Sequence, residues 1–164
     1  MRYGESMPTA PVTERIIVTH EWQIRADPNR LHDLWAGRRT FALVPNHLHP
    51  GENWLNESLA VIPPDYRYGH FVLLTSGSTG EPKLVVANKS RAERLVEVIH
   101  TAQDNDQVRM TIVCLPLSYS YAFVNQWVWA HHMQRRLIVT EGFSRPDELK
   151  KTLEAAQDAM ICLV

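Results

Sequence analysis

The chain has 164 residues, of which 45% are hydrophobic and 21% charged, and its formal net charge at pH 7 is -1. This composition suffices for one hydrophobic core, and the lack of a basic excess argues against a nucleic-acid or anionic-membrane partner. The sequence contains no apolar run of membrane-spanning length and no signal-peptide pattern at its start, so we expect a cytoplasmic protein.

The first sixty residues predict short alternating elements. Residues 1–14 resemble an extended lead-in, the β-branched run at 15–19 predicts a strand, and residues 41–44 predict another. Between them Asp27 and Pro28 provide an N-cap and a first helical residue for a short helix containing Leu31, Leu34 and Trp35. His47 and His49 flank Leu48 in a proline-bounded loop, where surface histidines are a better interpretation than metal ligands.

The most informative stretch is residues 71–87, which reads as a strand, a glycine-rich loop and a second strand. Glycines at 77 and 80 permit positive φ and close approach of a ligand to the main chain. Successive amide groups in such a turn can converge on an anion, with hydroxyl donors beside them and Lys83 at the far end. A phosphate is the ligand that fits, although a plain Ser/Gly hairpin tip has the same composition.

Two familiar phosphate-binding patterns do not match this loop. A Walker motif requires Gly-Lys-Ser/Thr after four intervening residues, whereas here Pro82 and Lys83 are followed by Leu84. The dinucleotide-binding glycine pattern is also excluded because no helix follows the loop directly.

Residues 75–85, Thr-Ser-Gly-Ser-Thr-Gly-Glu-Pro-Lys-Leu-Val, resemble the signature loop of the adenylate-forming superfamily. That superfamily comprises acyl-CoA synthetases, the adenylation domains of peptide synthetases, and luciferases. The one departure is Leu84 in place of glycine, after the part that contacts phosphate. The resemblance extends over about residues 63–164.

The second half of the chain predicts alternating helices and strands. Ser90 and Glu93 form a capping-box pattern before a helix whose apolar face includes Leu95 and Val96, and Ser144 and Asp147 form a second such pattern. The other predicted elements are a buried strand at 109–115, a helix at 124–133, a strand at 136–140, a helix containing Leu149 and Leu153, and a strand at 159–164. The alternation predicts an α/β fold with a mainly parallel sheet, crossover helices and the glycine-rich β-hairpin lying against it.

Three further details complete the reading of this half. His131 and His132 are adjacent on a predicted helix and should therefore point in different directions. Trp127 and Trp129 are interpreted as core residues. Cys114 and Cys162 lie in apolar runs, which predicts buried reduced thiols rather than a disulfide.

The resemblance implies carboxylate activation with ATP and Mg²⁺, giving an acyl-adenylate that passes to CoA or to the phosphopantetheine thiol of a carrier protein. It implies that the loop, Thr75, Ser76, Gly77, Ser78, Thr79, Gly80 and Lys83, binds the nucleotide phosphates, with Thr75 in place to approach magnesium. Tyr119 stands where the family has a histidine or aromatic residue that closes over a small carboxylic acid substrate. The resemblance does not identify which carboxylic acid is the substrate.

Residues 1–62 are expected to be an abbreviated or divergent N-terminal segment, and 63–164 the first part of an AMP-binding domain that stops within a strand at Val164. The family's catalytic lysine and adenine-binding segment would lie beyond this chain. We therefore expect an incomplete ligase that is inactive alone, with a second chain that completes the domain as one candidate partner. The alternative is a non-catalytic paralogue that serves as a phosphate-binding or protein-interaction module.

Overall fold

The computed structural model describes residues 15–76 and 82–162, and for Ser76 only its backbone. The strands are β1 (Ile17–His20), β2 (Phe41–Val44), β3 (His70–Ser76), β4 (Pro82–Asn88), β5 (Met110–Val113), β6 (Arg136–Val139) and β7 (Ala159–Ile161). The longer helices are α1 (Glu21–Ala26), α2 (Asn29–Ala36), α3 (Glu52–Ala60), α4 (Lys89–Ala102) and α7 (Pro146–Ala155). The helical segment before β6 comprises α5 (Ser120–Ala122), a π-helical stretch (Phe123–Val128) and α6 (Trp129–His132).

The described strands form two sheets. In the first, with the order β1-β2-β3-β4, the first three strands are parallel and β4 returns antiparallel to β3. In the second, β5 lies between β6 and β7 and is parallel to both. The predicted α/β class and the parallel arrangement of β5, β6 and β7 are confirmed.

Helices cover both faces of the first sheet. On one face, α3 packs through Leu55 and Leu59 against the even-numbered residues of β2 and β3. On the other face lies the main core, where α2, α4 and the helical segment 120–132 meet the odd-numbered residues. This core includes the predicted Trp127 and Trp129, which are 2% and 0% exposed. The second sheet packs Ile112 and Cys114 against Leu149 of α7.

Three predicted helix starts need correction. Helix α2 begins at Asn29 with Pro28 as its N-cap, one residue later than predicted, although the Asp27 carboxylate still accepts from the Asn29 amide. The N-cap of α4 is Asn88, whose side chain accepts from the Arg91 amide, while the hydroxyl of Ser90 lies within the first turn and donates to Asn88. The hydroxyl of Ser144 donates to the Glu141 carbonyl instead of capping α7, which begins after Arg145.

Other local expectations need correction as well. Leu95 is 50% exposed, because the buried face of α4 is formed by Ala92 and Val96. Leu153 is likewise exposed on α7, where Leu149 is the buried residue. The helix after β5 contains a π-helical stretch, in which the buried Gln126 donates to Thr111 Oγ1 and to the Ile112 carbonyl. None of the described helices combines the length and apolar character that crossing a bilayer requires.

Candidate functional site

The two strands that flank the predicted phosphate loop are paired in register. Thr75 lies opposite Lys83, and Ser76 lies opposite Pro82. Directly opposed residues of an antiparallel pair share one face of the sheet, so Thr75 and Lys83 project to the same side. Residues 77–81 lie outside the described residues, so the predicted contributions of Gly77, Ser78, Thr79 and Gly80 remain predictions.

The carboxyl ends of strands from both sheets meet at one edge of the molecule. Glu21 follows β1 directly, and its buried carboxylate accepts from the Leu117 amide at 2.8 Å and from the Ser118 hydroxyl at 2.9 Å. The amide of Trp22 donates to the side chain of Asn46, just after β2. This carboxyl edge is where open α/β sheets bind their ligands, and β3 ends there as well.

Arg25 extends this edge to the second sheet. One terminal nitrogen of its guanidinium bonds the Glu141 carboxylate, just after β6, and the other lies 3.9 Å from Glu21. Carboxylate, guanidinium and carboxylate therefore form a chain that joins α1 to the segments after β5 and β6.

Tyr119, the predicted substrate-pocket residue, ends the turn that Glu21 holds. Its amide donates to the Pro116 carbonyl, and its side chain is 46% exposed immediately before α5. This position at the carboxyl edge leaves the ring accessible, and its role in substrate binding stays a prediction.

A cavity of about 330 Å³ opens beside this edge. Its walls come from α1, α2 and the residue before it, the helical segment, β6, and the segments that follow β5 and β6: Ile24, Arg25, Pro28, His32, Leu117, Trp127, Leu137, Val139 and Glu141. The volume and the mixture of apolar walls with a few polar groups are typical of small-molecule sites. Tyr119 is not among the lining residues.

A pair of histidines stands at this cavity, and the sequence did not indicate it. His32 Nδ1 and His131 Nδ1 are 2.8 Å apart, and the His131 ring stacks on Trp127 with 7° between the planes. Burial, reinforced by neighbouring His32, lowers the pKa of His131. His132 bonds Glu97 instead, as expected for adjacent helical residues with different directions.

The predicted surface position of His47 and His49 is confirmed, whereas of the two predicted buried thiols Cys114 is buried and Cys162 is half-buried. His47 and His49 are exposed, and no group of three or more potential metal-binding side chains occurs in the described ranges 15–76 and 82–162. Cys114 and Cys162 are free thiols, and burial raises the pKa of both.

Sequence reasoning missed Glu21, Arg25, His32 and Glu141. The available signal was the position of Glu21 and Glu141 close behind the strands β1 and β6, because polar side chains there face the binding edge of a parallel sheet. The contact between Arg25 and Glu141 could not be predicted from the sequence, since the two residues are 116 positions apart.

No protein-family model and no curated protein matches the chain. Among solved structures, it is similar to an acyl-CoA synthetase (AMP-forming)/AMP-acid ligase II-like protein from Dyadobacter fermentans, with 30% identity, 45% of this chain and 21% of that chain covered, and a TM-score of 0.40. It is also similar to O-succinylbenzoate coenzyme A synthetase from Bacillus subtilis, solved in complex with AMP, with 14% identity, 85% and 32% covered, and a TM-score of 0.42. The chain thus spans a fifth to a third of the length of these proteins, and such partial similarity assigns no site residue to it.

Proposed function

We propose that this chain supplies the phosphate-binding part of an ATP-dependent ligase that activates carboxylic acids as acyl-adenylates. The observation that carries the proposal is the sequence of residues 75–85, which includes the end of β3 and the start of β4, paired so that Thr75 faces Lys83. In the proposed reaction a carboxylate oxygen attacks the α-phosphorus of ATP, and the bond to the leaving pyrophosphate breaks. A thiol of CoA or of carrier-bound phosphopantetheine then attacks the acyl carbon, and AMP leaves.

The proposed roles follow from the chemistry of each group. Backbone amides and hydroxyls of residues 76–80 would bind the β- and γ-phosphates, and Lys83 would stabilise the charge that develops on pyrophosphate. The Thr75 hydroxyl is a hard oxygen donor that suits Mg²⁺, and the bound ion would neutralise phosphate charge there. Tyr119 would form part of the wall that holds the acid.

Nucleotide binding to the full 164-residue chain tests this assignment. We expect MgATP to bind in isothermal titration calorimetry, and Lys83→Gln to weaken binding about tenfold through loss of one charge-assisted phosphate contact. Lys150→Gln is the matched control, because Lys150 is an exposed lysine of α7 that pairs only with Glu154 in the described part of the chain. The proposal is refuted if MgATP does not bind, or if both substitutions weaken binding equally.

A separate measurement tests the predicted ligase context. The natural protein can be detected in its source cells through the peptide that contains residues 77–83, and its intact mass can then be measured. A mass far above 18.9 kDa supports a longer ligase and calls for pyrophosphate-exchange screening of acids. A mass of 18.9 kDa, equal to that of the 164 residues, contradicts the longer ligase. It favours a phosphate-binding module or an enzyme completed by a second chain.

A further inference from the structure

We propose that the 330 Å³ cavity beside the carboxyl edge is a binding site for a small molecule that carries a primary ammonium group on a compact aromatic or branched apolar body. The inference is independent of the proposed nucleotide chemistry, because it uses neither the loop at residues 77–81 nor Lys83.

The cavity selects an apolar body through its walls. Ile24, Leu117, Leu137 and Val139 supply aliphatic surface from three different segments of the chain. Trp127 closes one side, and its ring stacks with those of Phe123 and His131 at centroid distances of 5.4 and 5.1 Å. These ring contacts restrict the movement of Trp127, which favours a wall that changes little on binding.

The charged side chains around the cavity favour a ligand that carries an ammonium group. The lining residues include one guanidinium and one carboxylate, and Arg25 is shared between Glu141 and the buried Glu21. Two carboxylates therefore lie beside one guanidinium, and these three groups together carry one negative charge. A ligand carboxylate would add a second negative charge, whereas an ammonium restores neutrality.

Glu141 is the group best placed to accept the ammonium. Its carboxylate lines the cavity, and its side chain is 52% exposed, so a ligand reaches it without unfolding the site. Within the described ranges Arg25 is its single side-chain donor, which leaves acceptor capacity on the carboxylate. Glu21, in contrast, is 1% exposed and already accepts from Leu117 and Ser118.

The His32–His131 pair can carry at most one positive charge. A 2.8 Å contact between two Nδ1 atoms requires one to donate and the other to accept, so the two rings cannot both be doubly protonated. Burial also lowers the pKa of His131, which disfavours the charged form of that ring.

Three probes of matched shape test the proposal on the full chain: 2-phenylethylamine, 2-phenylethanol and 3-phenylpropionate. We expect chemical-shift titration to show the amine binding most tightly and the acid least, with the largest shifts at the amides of Leu137 and Val139. Leu137→Trp, which fills the cavity, should abolish binding of all three probes. If the acid binds as well as the amine, or if none of the probes shifts these amides, the proposal is overturned.

Glu141→Gln provides the sharper test because it predicts opposite changes. Removing this carboxylate should weaken amine binding about three- to tenfold, as for one partly exposed ion pair, and should strengthen acid binding because Arg25 is released. Glu148→Gln is the matched control, since Glu148 also pairs with an arginine, Arg145, but lies outside the cavity. Equal changes for all three probes in Glu141→Gln would mean a general distortion and would refute charge selection.

Discussion

Lys89 provides the most demanding prediction about stability. Its ammonium is buried and lies within hydrogen-bond distance of the carbonyls of Leu34, Trp35 and Gly37, at 2.7, 3.1 and 2.8 Å. These carbonyls belong to the end of α2 and the residue that follows it, where a helix lacks intrahelical donors. Lys89, the first residue of α4, thus caps the C-terminal end of α2, although the bonded carbonyls lie 52 or more residues earlier in the chain.

Replacing Lys89 with methionine keeps most of the apolar stem and removes the hydrogen bonds to these three carbonyls, together with a longer one of 3.3 Å to the Arg39 carbonyl. Leaving the three closer carbonyls unsatisfied costs about 4–6 kcal/mol, at about 1.3–2 kcal/mol for each. The offset is the relief of desolvation: burial lowers the pKa of Lys89 from 10.5 to about 8, opposed by the nearby Glu93 carboxylate. That shift corresponds to about 3 kcal/mol, so we expect Lys89→Met to lose about 1–3 kcal/mol.

The stability difference between wild type and Lys89→Met should change with pH in a definite direction. Because the folded pKa of Lys89 is the lower one, the unfolded chain binds more protons between about pH 8 and 10.5. The wild-type protein therefore gains stability relative to Lys89→Met as pH rises through this window, and the difference is constant below pH 7.

Urea unfolding followed by circular dichroism, at several pH values, measures both effects. Lys150→Met is the control, because its exposed ammonium pairs only with Glu154 at 3.7 Å in the described residues, and we expect a loss below about 0.5 kcal/mol. A Lys89→Met protein as stable as wild type at pH 7, or a stability difference that falls between pH 8 and 10.5, would refute the reasoning.

Two further substitutions test the carboxyl edge. Glu21→Ala removes the acceptor for the Leu117 amide and the Ser118 hydroxyl, so we expect a loss of about 2–4 kcal/mol and faster hydrogen exchange at Leu117; unchanged exchange there would contradict the anchoring role. Gly142→Ala should lose more than about 2 kcal/mol in urea unfolding, because Gly142 has φ +58° and an added Cβ would lie 2.1 Å from the Cys114 carbonyl oxygen. Gly51→Ala, where a Cβ meets open space, should change stability by less than about 1 kcal/mol, and equal losses at both glycines would remove the steric argument.

Local composition predicted the strands well because β-branched and apolar runs leave few alternatives. The runs at 41–44, 136–140 and 159–164 all contain the strands that the structure describes there. The short α1 was missed because its six residues carry too few apolar positions for a helical pattern, and its stability comes from Glu21 and Arg25 contacting other segments.

The N-cap of α4 was predicted at the wrong residue, because the capping-box spacing indicated Ser90 and Asn88 was not considered. Asn88 and Ser90 are both good N-cap residues, and sequence favoured Ser90 because Glu93 follows it by three. In the structure Glu93 accepts from the indole of Trp35 instead, and the ammonium of Lys89 is held by α2. These long-range contacts start the helix directly after β4, which leaves Asn88 as the cap.

The predicted site residues rest on local sequence and stay predictions. The motif at residues 75–85 is local and could be read directly, and Tyr119 was assigned because the family resemblance implies an aromatic residue or histidine three residues after Pro116. The network of Glu21, Arg25 and Glu141 depends on contacts between residues about a hundred positions apart, which no spacing argument supplies.

The two buried charges act at opposite edges of the first sheet. Lys89 binds carbonyls that precede β2, and its amide bonds the Gly69 carbonyl just before β3, so it secures the amino edge. Glu21 secures the carboxyl edge, where β3 ends at the predicted phosphate loop. Because the two share no partner among the described residues, their effects on the free energy of unfolding should add in a double variant. Only Glu21→Ala should then alter probe binding in the cavity, since positioning at a site depends on the shell that supports it.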